Sequence, residues 1–441
     1  MKRKYFTVLL VAFLIVSLFT GCARKVSANE TPAVVATQEK ASVAPSEKKD
    51  GPVTITAWYT YANTNEANYK EAIRRFNESQ DEYVVVGVSQ AWNEINQKVM
   101  SALKAGNYPD IIAGEAPTIS NYVREELVVD LLPYVQDPEI GIKDFDDFIP
   151  SVVSECTQWD GHMYMFPVSR TGEVFYYNKT FFDEHGLSVP TTWDELMTLS
   201  ERIHEITGKA AVGFDFLDDS YIDMIIQNGG TYLDDENRTA GFLSEESRAA
   251  VEWFKTLSDK GCLRLKGEDR GLFIPFANEL CYCFIGTSAV YKSIDGAVGD
   301  AFETACAPIP QGRSNPYVTM WGVNQAVFKS TPEREKGAYE FLKSFTQPDM
   351  NAQWAIGYNA LPVRQSAIDS PAYQEFMQGS NPVIDVLVEQ SDRYGYQPAV
   401  EGSFETNNAI TIALDEILIG TETIDSGLEK AQKEADKALN R

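Results

Sequence analysis

Histidine is nearly missing from this chain. Its 441 residues include three, His162, His185 and His204. No two of them stand at a metal-binding spacing such as His-x-x-x-His. Chemistry that needs an imidazole base or a histidine-held metal has little to work with. Cysteine is sparse as well: Cys22, Cys156, Cys262, Cys281, Cys283 and Cys306. Setting Cys22 apart leaves an odd number, which cannot all pair within the chain. Cys281 and Cys283 alternate with Leu280, Tyr282 and Phe284, a pattern that puts both on one face of a strand as buried free thiols. Positive charge is short too, with 38 Lys and Arg against 64 Asp and Glu and a net charge of −26. A nucleic-acid partner needs clustered cations to neutralise phosphate, so that class is excluded. The same charge holds the chain off anionic lipid headgroups. Beyond the N-terminus, no apolar run is long enough to cross a bilayer.

What is present begins with the first residues. Lys2, Arg3 and Lys4 precede an apolar run from Phe6 to Phe19, and small residues follow before Cys22. A charged head, a short hydrophobic middle and small residues are the pattern of an export signal. Thr20-Gly21-Cys22 resembles the lipobox of bacterial lipoproteins, although Phe19 occupies the slot where that family prefers leucine. The resemblance implies a diacylglycerol on the Cys22 thiol and a mature chain held outside the membrane. Residues 23–52 are rich in Ala, Ser, Thr, Pro, Glu and Lys, with no apolar periodicity. Such a stretch cannot bury a core and serves as a flexible tether.

From Val53 the pattern is that of a folded domain, with 44% apolar and 12% aromatic residues overall to fill a core. At about 150 residues per domain, the length suggests two or three domains. Val53–Trp58, Tyr83–Val88 and Asp110–Ala113 read as strands. Asn65–Ser79 and Asn93–Ala105 between them carry apolar residues at helical spacing. That alternation predicts parallel strands with crossover helices. Ligands of such sheets sit at the carboxyl ends of the strands, here Trp58–Asn63, Ser89–Trp92 and Gly114–Thr118. A second α/β region follows, with strands at Val174–Tyr177, Ala211–Asp215 and Leu280–Phe284. Thr192-Trp-Asp-Glu195 has the form of a capping box. Pro316–Phe328 is strand or loop, and the C-terminal part is mostly helical.

Several stretches together resemble one family, the carbohydrate-binding group of extracellular solute-binding proteins of ABC importers. They are Gly106-Asn-Tyr-Pro-Asp110, Tyr176-Tyr-Asn-Lys179, Pro190-Thr-Thr-Trp-Asp-Glu-Leu196, Ala307-Pro-Ile-Pro310, Glu340–Pro348 and Gly357–Arg364, in that order along the chain. The resemblance implies a two-lobed α/β periplasmic-binding-protein fold of type II. Its sheets would be parallel-dominated and flanked by helices, with a ligand cleft at the hinge. The expected division is 1–21 signal peptide, 22–52 tether, 53–166 plus 306–353 first lobe, and 167–305 plus 354–441 second lobe. A ligand would bias an open–closed equilibrium of the lobes.

The spacing comes nearest the branch that binds sn-glycerol-3-phosphate. By that resemblance Trp92, Glu115, Arg170 or Thr171, Ser288, Trp321-Gly322 and Tyr358 stand at ligand positions. Tyr61 and Asp215 join them from strand ends. Trp92 and Trp321 are expected to face each other across the ligand. The branch uses an arginine near the start of its last helical region, where Glu401–Thr406 here holds two carboxylates and no cation. A phosphate would be repelled there, which favours a neutral sugar.

The expected function is therefore sugar or oligosaccharide capture and delivery to an ABC permease, with Cys22 as lipid anchor. No catalytic residue, metal or cofactor is expected, and the chain is expected to be a monomer. Alternatives are binding of glycerol-3-phosphate or a phosphodiester, a signalling or adhesive lipoprotein, and a secreted glycosidase. The last needs two carboxylates about 5–10 Å apart across a cleft.

Overall fold

The structure is a computed structural model and describes residues 51–91, 94–267, 269, 271–379 and 381–440. The export signal, the tether, Cys22 and Trp92 lie outside the described residues.

Twelve strands appear among the described residues. They are β1 (Val53–Tyr59), β2 (Tyr83–Ser89), β3 (Ile111–Gly114), β4 (Phe166–Asn178), β5 (Val212–Phe214), β6 (Leu233–Asp234), β7 (Thr239–Ala240), β8 (Leu263–Arg264), β9 (Cys283–Thr287), β10 (Thr304–Ala307), β11 (Val318–Val327) and β12 (Tyr394–Gly395). β6 and β7 make a small separate hairpin. The others form one sheet in the order β2-β1-β3-β11-β4-β9-β5-β8, with β10 against β4 and β12 against β11.

The two ends of this sheet are parallel, β2-β1-β3 and β9-β5-β8, as strand–helix alternation requires. The middle is antiparallel, because β11 pairs that way with both β3 and β4, and β4 with β9. The sheet is thus mixed, not parallel-dominated. The antiparallel character comes from β4 and β11, two long strands that run from one lobe into the other. Sequence periodicity sees only the parts of them buried against local helices.

Two main cores lie at the two ends. The first gathers Ile55, Tyr69, Phe76, Ile111 and Phe166 with Phe341, Phe345 and Trp354. The second gathers Phe175, Leu196, Val212, Phe254 and Ile285 with Ile410 and Leu428. The lobe boundaries therefore differ from those read in the sequence. Ile309 and Val318 belong to the second core, since β10 lies along the far half of β4. Trp354, Val363 and Ala399 belong to the first. The chain passes between lobes along β4, along β11 and again between Tyr394 and Ala399.

Local signals behave as written. Thr192 Oγ accepts from the Glu195 amide and the Glu195 carboxylate returns to the Thr192 amide, a complete capping box on the helix Trp193–Thr207. The cysteines Cys156, Cys262, Cys281, Cys283 and Cys306 are free thiols. Cys281 and Cys283 do not share a face: Cys281 packs with Leu272 and Phe284, Cys283 with Val212 and Ile285. The Tyr282 and Cys283 amides both donate to the Ala211 carbonyl, which breaks the two-residue alternation just before β9 begins.

Candidate functional site

A cavity of about 630 Å³ opens between the lobes, at the carboxyl ends of β3 and β5 and beside the crossing point of β11. The first lobe contributes Asn96 and the turn Gly114–Thr118; the second contributes Phe214–Asp219, the Leu263–Gly267 loop and one side of the helix Ser403–Leu418. Both strand ends are where an α/β sheet places a ligand.

The aromatic face of the cavity is Trp321 with Phe216, whose ring centroids are 5.3 Å apart. Trp321 is fixed through its indole, since Nε1 donates to Asp219 Oδ2 at 3.1 Å. Gln397 Nε2 donates to the other Asp219 oxygen at 2.6 Å, and Asn407 Nδ2 donates to Gln397 Oε1 at 2.8 Å. Thr411 Oγ1 donates to Asp218 Oδ2 at 3.1 Å. A row of amides, hydroxyls and carboxylates therefore surrounds two mutually tilted aromatic faces. This suits a ligand with apolar ring surfaces and many hydroxyls.

Charge in the cavity is unbalanced. Glu115 and Asp218 line it, each half-buried. Burial raises the Glu115 carboxyl to about 7, helped by Asp218 and Glu155. Burial also raises Asp218, and it holds Asp219 well above the carboxylate range, with Asp218 and Glu115 adding repulsion. On the cationic side, Arg264 binds Asp269 at 2.6 Å. Lys266 Nζ donates to the Asp215 carbonyl at 2.9 Å and lies 4.9 Å over the Phe216 ring.

Of the residues expected from the sequence, Glu115, Asp215, Trp321 and Gly322 line this cavity. Asp215 is mainly a tie: its Oδ1 accepts from the Leu272 amide at 2.7 Å, which fastens the loop after β8 to the end of β5. Gly322 is needed for close approach, because a Cβ there would lie 2.2 Å from Asn324 Nδ2.

Five expected contacts do not reach the cavity. Arg170 is buried in the first lobe, 2.6 Å from Glu155 and bonded to Asn324 Oδ1 at 3.1 Å. It positions Glu155, which does line the cavity. Thr171 is buried in the sheet opposite Trp321. Ser288 is buried at the end of β9, beneath the second lobe. Tyr61 and Tyr358 pack with Trp354 in an aromatic cluster of the first lobe, at 5.3 and 5.0 Å between centroids. The physical reason is common to all five: strand alternation and turn position predict an element's end, not which side of it faces the gap. Trp92 lies outside the described residues, so its pairing with Trp321 stays an expectation.

Phe216, Asp218, Asp219, Gln397, Asn407 and Thr411 escaped the sequence reading. The strand-end rule applied one turn beyond Asp215 would have reached Phe216–Asp219. Gln397, Asn407 and Thr411 come from the C-terminal segment and carry no local signal.

Residues 71–379 match the family model described as bacterial extracellular solute-binding protein. The sn-glycerol-3-phosphate-binding periplasmic protein UgpB of Rhizobium meliloti is 22% identical over 410 residues, covering 87% of this chain and 93% of that protein. Among solved structures, the cyclic alpha-maltosyl-1,6-maltose binding protein from Arthrobacter globiformis superposes with a TM-score of 0.73 at 23% identity, over 88% of this chain and 99% of that one. UgpB from Mycobacterium tuberculosis in complex with glycerophosphocholine does so with a TM-score of 0.77 at 21% identity, over 89% and 99%.

Proposed function

The chain belongs to the bacterial extracellular solute-binding proteins, and on that premise we propose that it captures a sugar or oligosaccharide between its lobes and delivers it to an ABC permease. The observation that carries this reading is the interlobe cavity, with Trp321 and Phe216 as ring platforms and carboxylates and amides as hydroxyl partners. The ligand-contact residues we assign are Glu115, Asp218, Asp219, Trp321 and Asn407. Closure would bend the three interlobe passages and seal the cavity.

Several relatives are named for glycerol-3-phosphate. Glu401 and Glu405, at the start of the last helical region, face Arg238 at 3.5 Å and Arg124 at 3.6 Å. Phe404 between them lines the cavity. That wall offers a phosphate no free cation among the described residues, which supports sugar over polyol phosphate.

Thermal-shift screening against neutral, amino and phosphorylated sugars tests the reading, since a ligand stabilises with the logarithm of its concentration over its Kd. Trp321→Ala should weaken the cognate sugar by at least about 1 kcal/mol with the fold intact. It should also remove most of the fluorescence change on binding. Unchanged affinity would place the site elsewhere. We further propose anchoring through Cys22 ahead of a flexible tether. Cys22→Ser should move the protein from the membrane to the soluble fraction, and unchanged fractionation would refute the anchor.

A further inference from the structure

We infer that the ligand of this cavity carries a protonated amine: an amino sugar, not a neutral one. This rests on the sugar-capture reading above and narrows it. Glu115, at the end of β3, and Asp218, in the first turn of the helix Leu217–Gln227, reach the same cavity from opposite lobes. The Glu115 carboxylate accepts no hydrogen bond from any described residue. Asp219 stands behind Asp218, held by Trp321 and Gln397. None of the three makes an ion pair with a described cation. Arg170 is committed to Glu155, Arg264 to Asp269, and the Lys266 ammonium to a backbone carbonyl.

Carboxylates partly withdrawn from water on opposing walls repel each other, and each costs free energy while unpaired. A hydroxyl satisfies their hydrogen bonds but leaves the charge. An ammonium satisfies both, and the Trp321 face adds cation–π attraction. An anionic ligand meets the repulsion of all three, offset among the described residues only by Arg264 of β8 and Lys266 just beyond it. Because burial, Asp218 and Glu155 hold Glu115 at about 7, an arriving cation should also displace part of a proton near neutral pH.

The test is calorimetry at pH 7 in phosphate and in HEPES buffer, with glucosamine oligomers, their N-acetylated counterparts and malto-oligosaccharides. The amine-bearing oligomers should bind roughly tenfold tighter or better, with proton release absent for the neutral sugars. Glu115→Gln should erase that preference, weakening the amine-bearing oligomers roughly tenfold more than the neutral sugars. Neutral sugars binding as tightly as the amines would overturn the inference and leave sugar capture standing. Equal loss for both ligand classes in Glu115→Gln would overturn it too, showing a merely structural carboxylate. Binding of none of these sugars would sink the sugar reading and the inference with it.

Discussion

The same two strands carry opposite solutions to buried charge on the two sides of the hinge. On the first-lobe side, β4 supplies Arg170 and β11 supplies Asn324. They enclose Glu155, with Arg170 at 2.6 Å and Asn324 Nδ2 at 3.3 Å from its oxygens. On the second-lobe side, β4 supplies Glu173 and β11 supplies Thr319. Here Thr319 donates to Asp223 at 2.9 Å through its amide and at 2.6 Å through its hydroxyl. Ser220 donates to Glu173 at 3.3 Å. No described cation pairs with Glu173 or Asp223. One side is neutralised by a guanidinium, the other by retained protons. The first arrangement is costly to break; the second is tolerant of neutral replacements and sensitive to pH.

The largest expected effect comes from breaking the neutralised side. Arg170→Met leaves Glu155 buried and uncompensated, and should cost about 3–5 kcal/mol in urea unfolding. Adding Glu155→Gln should restore much of that loss, because the orphan charge goes with it. A single mutant costing under about 1 kcal/mol would show that the pair is not buried in solution.

The next effect is the pH dependence of the protonated side. Burial raises Asp223 to about 7, and Glu173 well above the carboxylate range, with Asp223 and Asp219 adding to it. The native state therefore holds protons that the unfolded chain, titrating near pH 4, has released. This contribution is fully present below about pH 4 and is lost as pH rises toward 7, with a slope of up to about 1.4 kcal/mol per pH unit per proton. Asp223→Asn should flatten the fall between pH 5 and 8. It should leave the variant more stable than the parent at the alkaline end. A parent whose unfolding midpoint is level over that range would contradict proton sharing.

The smallest effect probes the aromatic cluster. The Tyr61 hydroxyl is buried and has no hydrogen-bond partner among the described residues. Tyr61→Phe should change stability by no more than about 0.5 kcal/mol, and in the favourable direction if any. A substantial loss, or weaker sugar binding, would mean that this hydroxyl reaches the ligand after all.

Much of the architecture could be read from the chain, for reasons local to each stretch. Helical spacing between short apolar strands announced the β1–β3 unit, and Thr192 and Glu195 announced their helix by capping chemistry. β4 was seen only in its Val174–Tyr177 part. Its first half, from Phe166, is buried on both faces and carries Arg170 and Glu173, so it shows neither alternation nor apolar continuity. Of the candidate site, Glu115, Asp215, Trp321 and Gly322 were found because each stands at a strand end or on the crossing strand. Tyr61, Tyr358 and Ser288 met similar criteria and turned inward.

The sequence by itself determined which stretches become strands and helices, the acidic balance and the family pattern, since these follow from spacing, capping and composition. Only the tertiary structure decided which carboxylates stand together. Glu115, Asp218 and Asp219 come from two lobes and share a cavity because β3 and β5 end beside the middle of β11 in one sheet. Whether a carboxylate is paired, as Glu155 is, or keeps its proton, as Glu173 does, depends on neighbours delivered by distant segments. Residue spacing along one stretch carries no information about those neighbours.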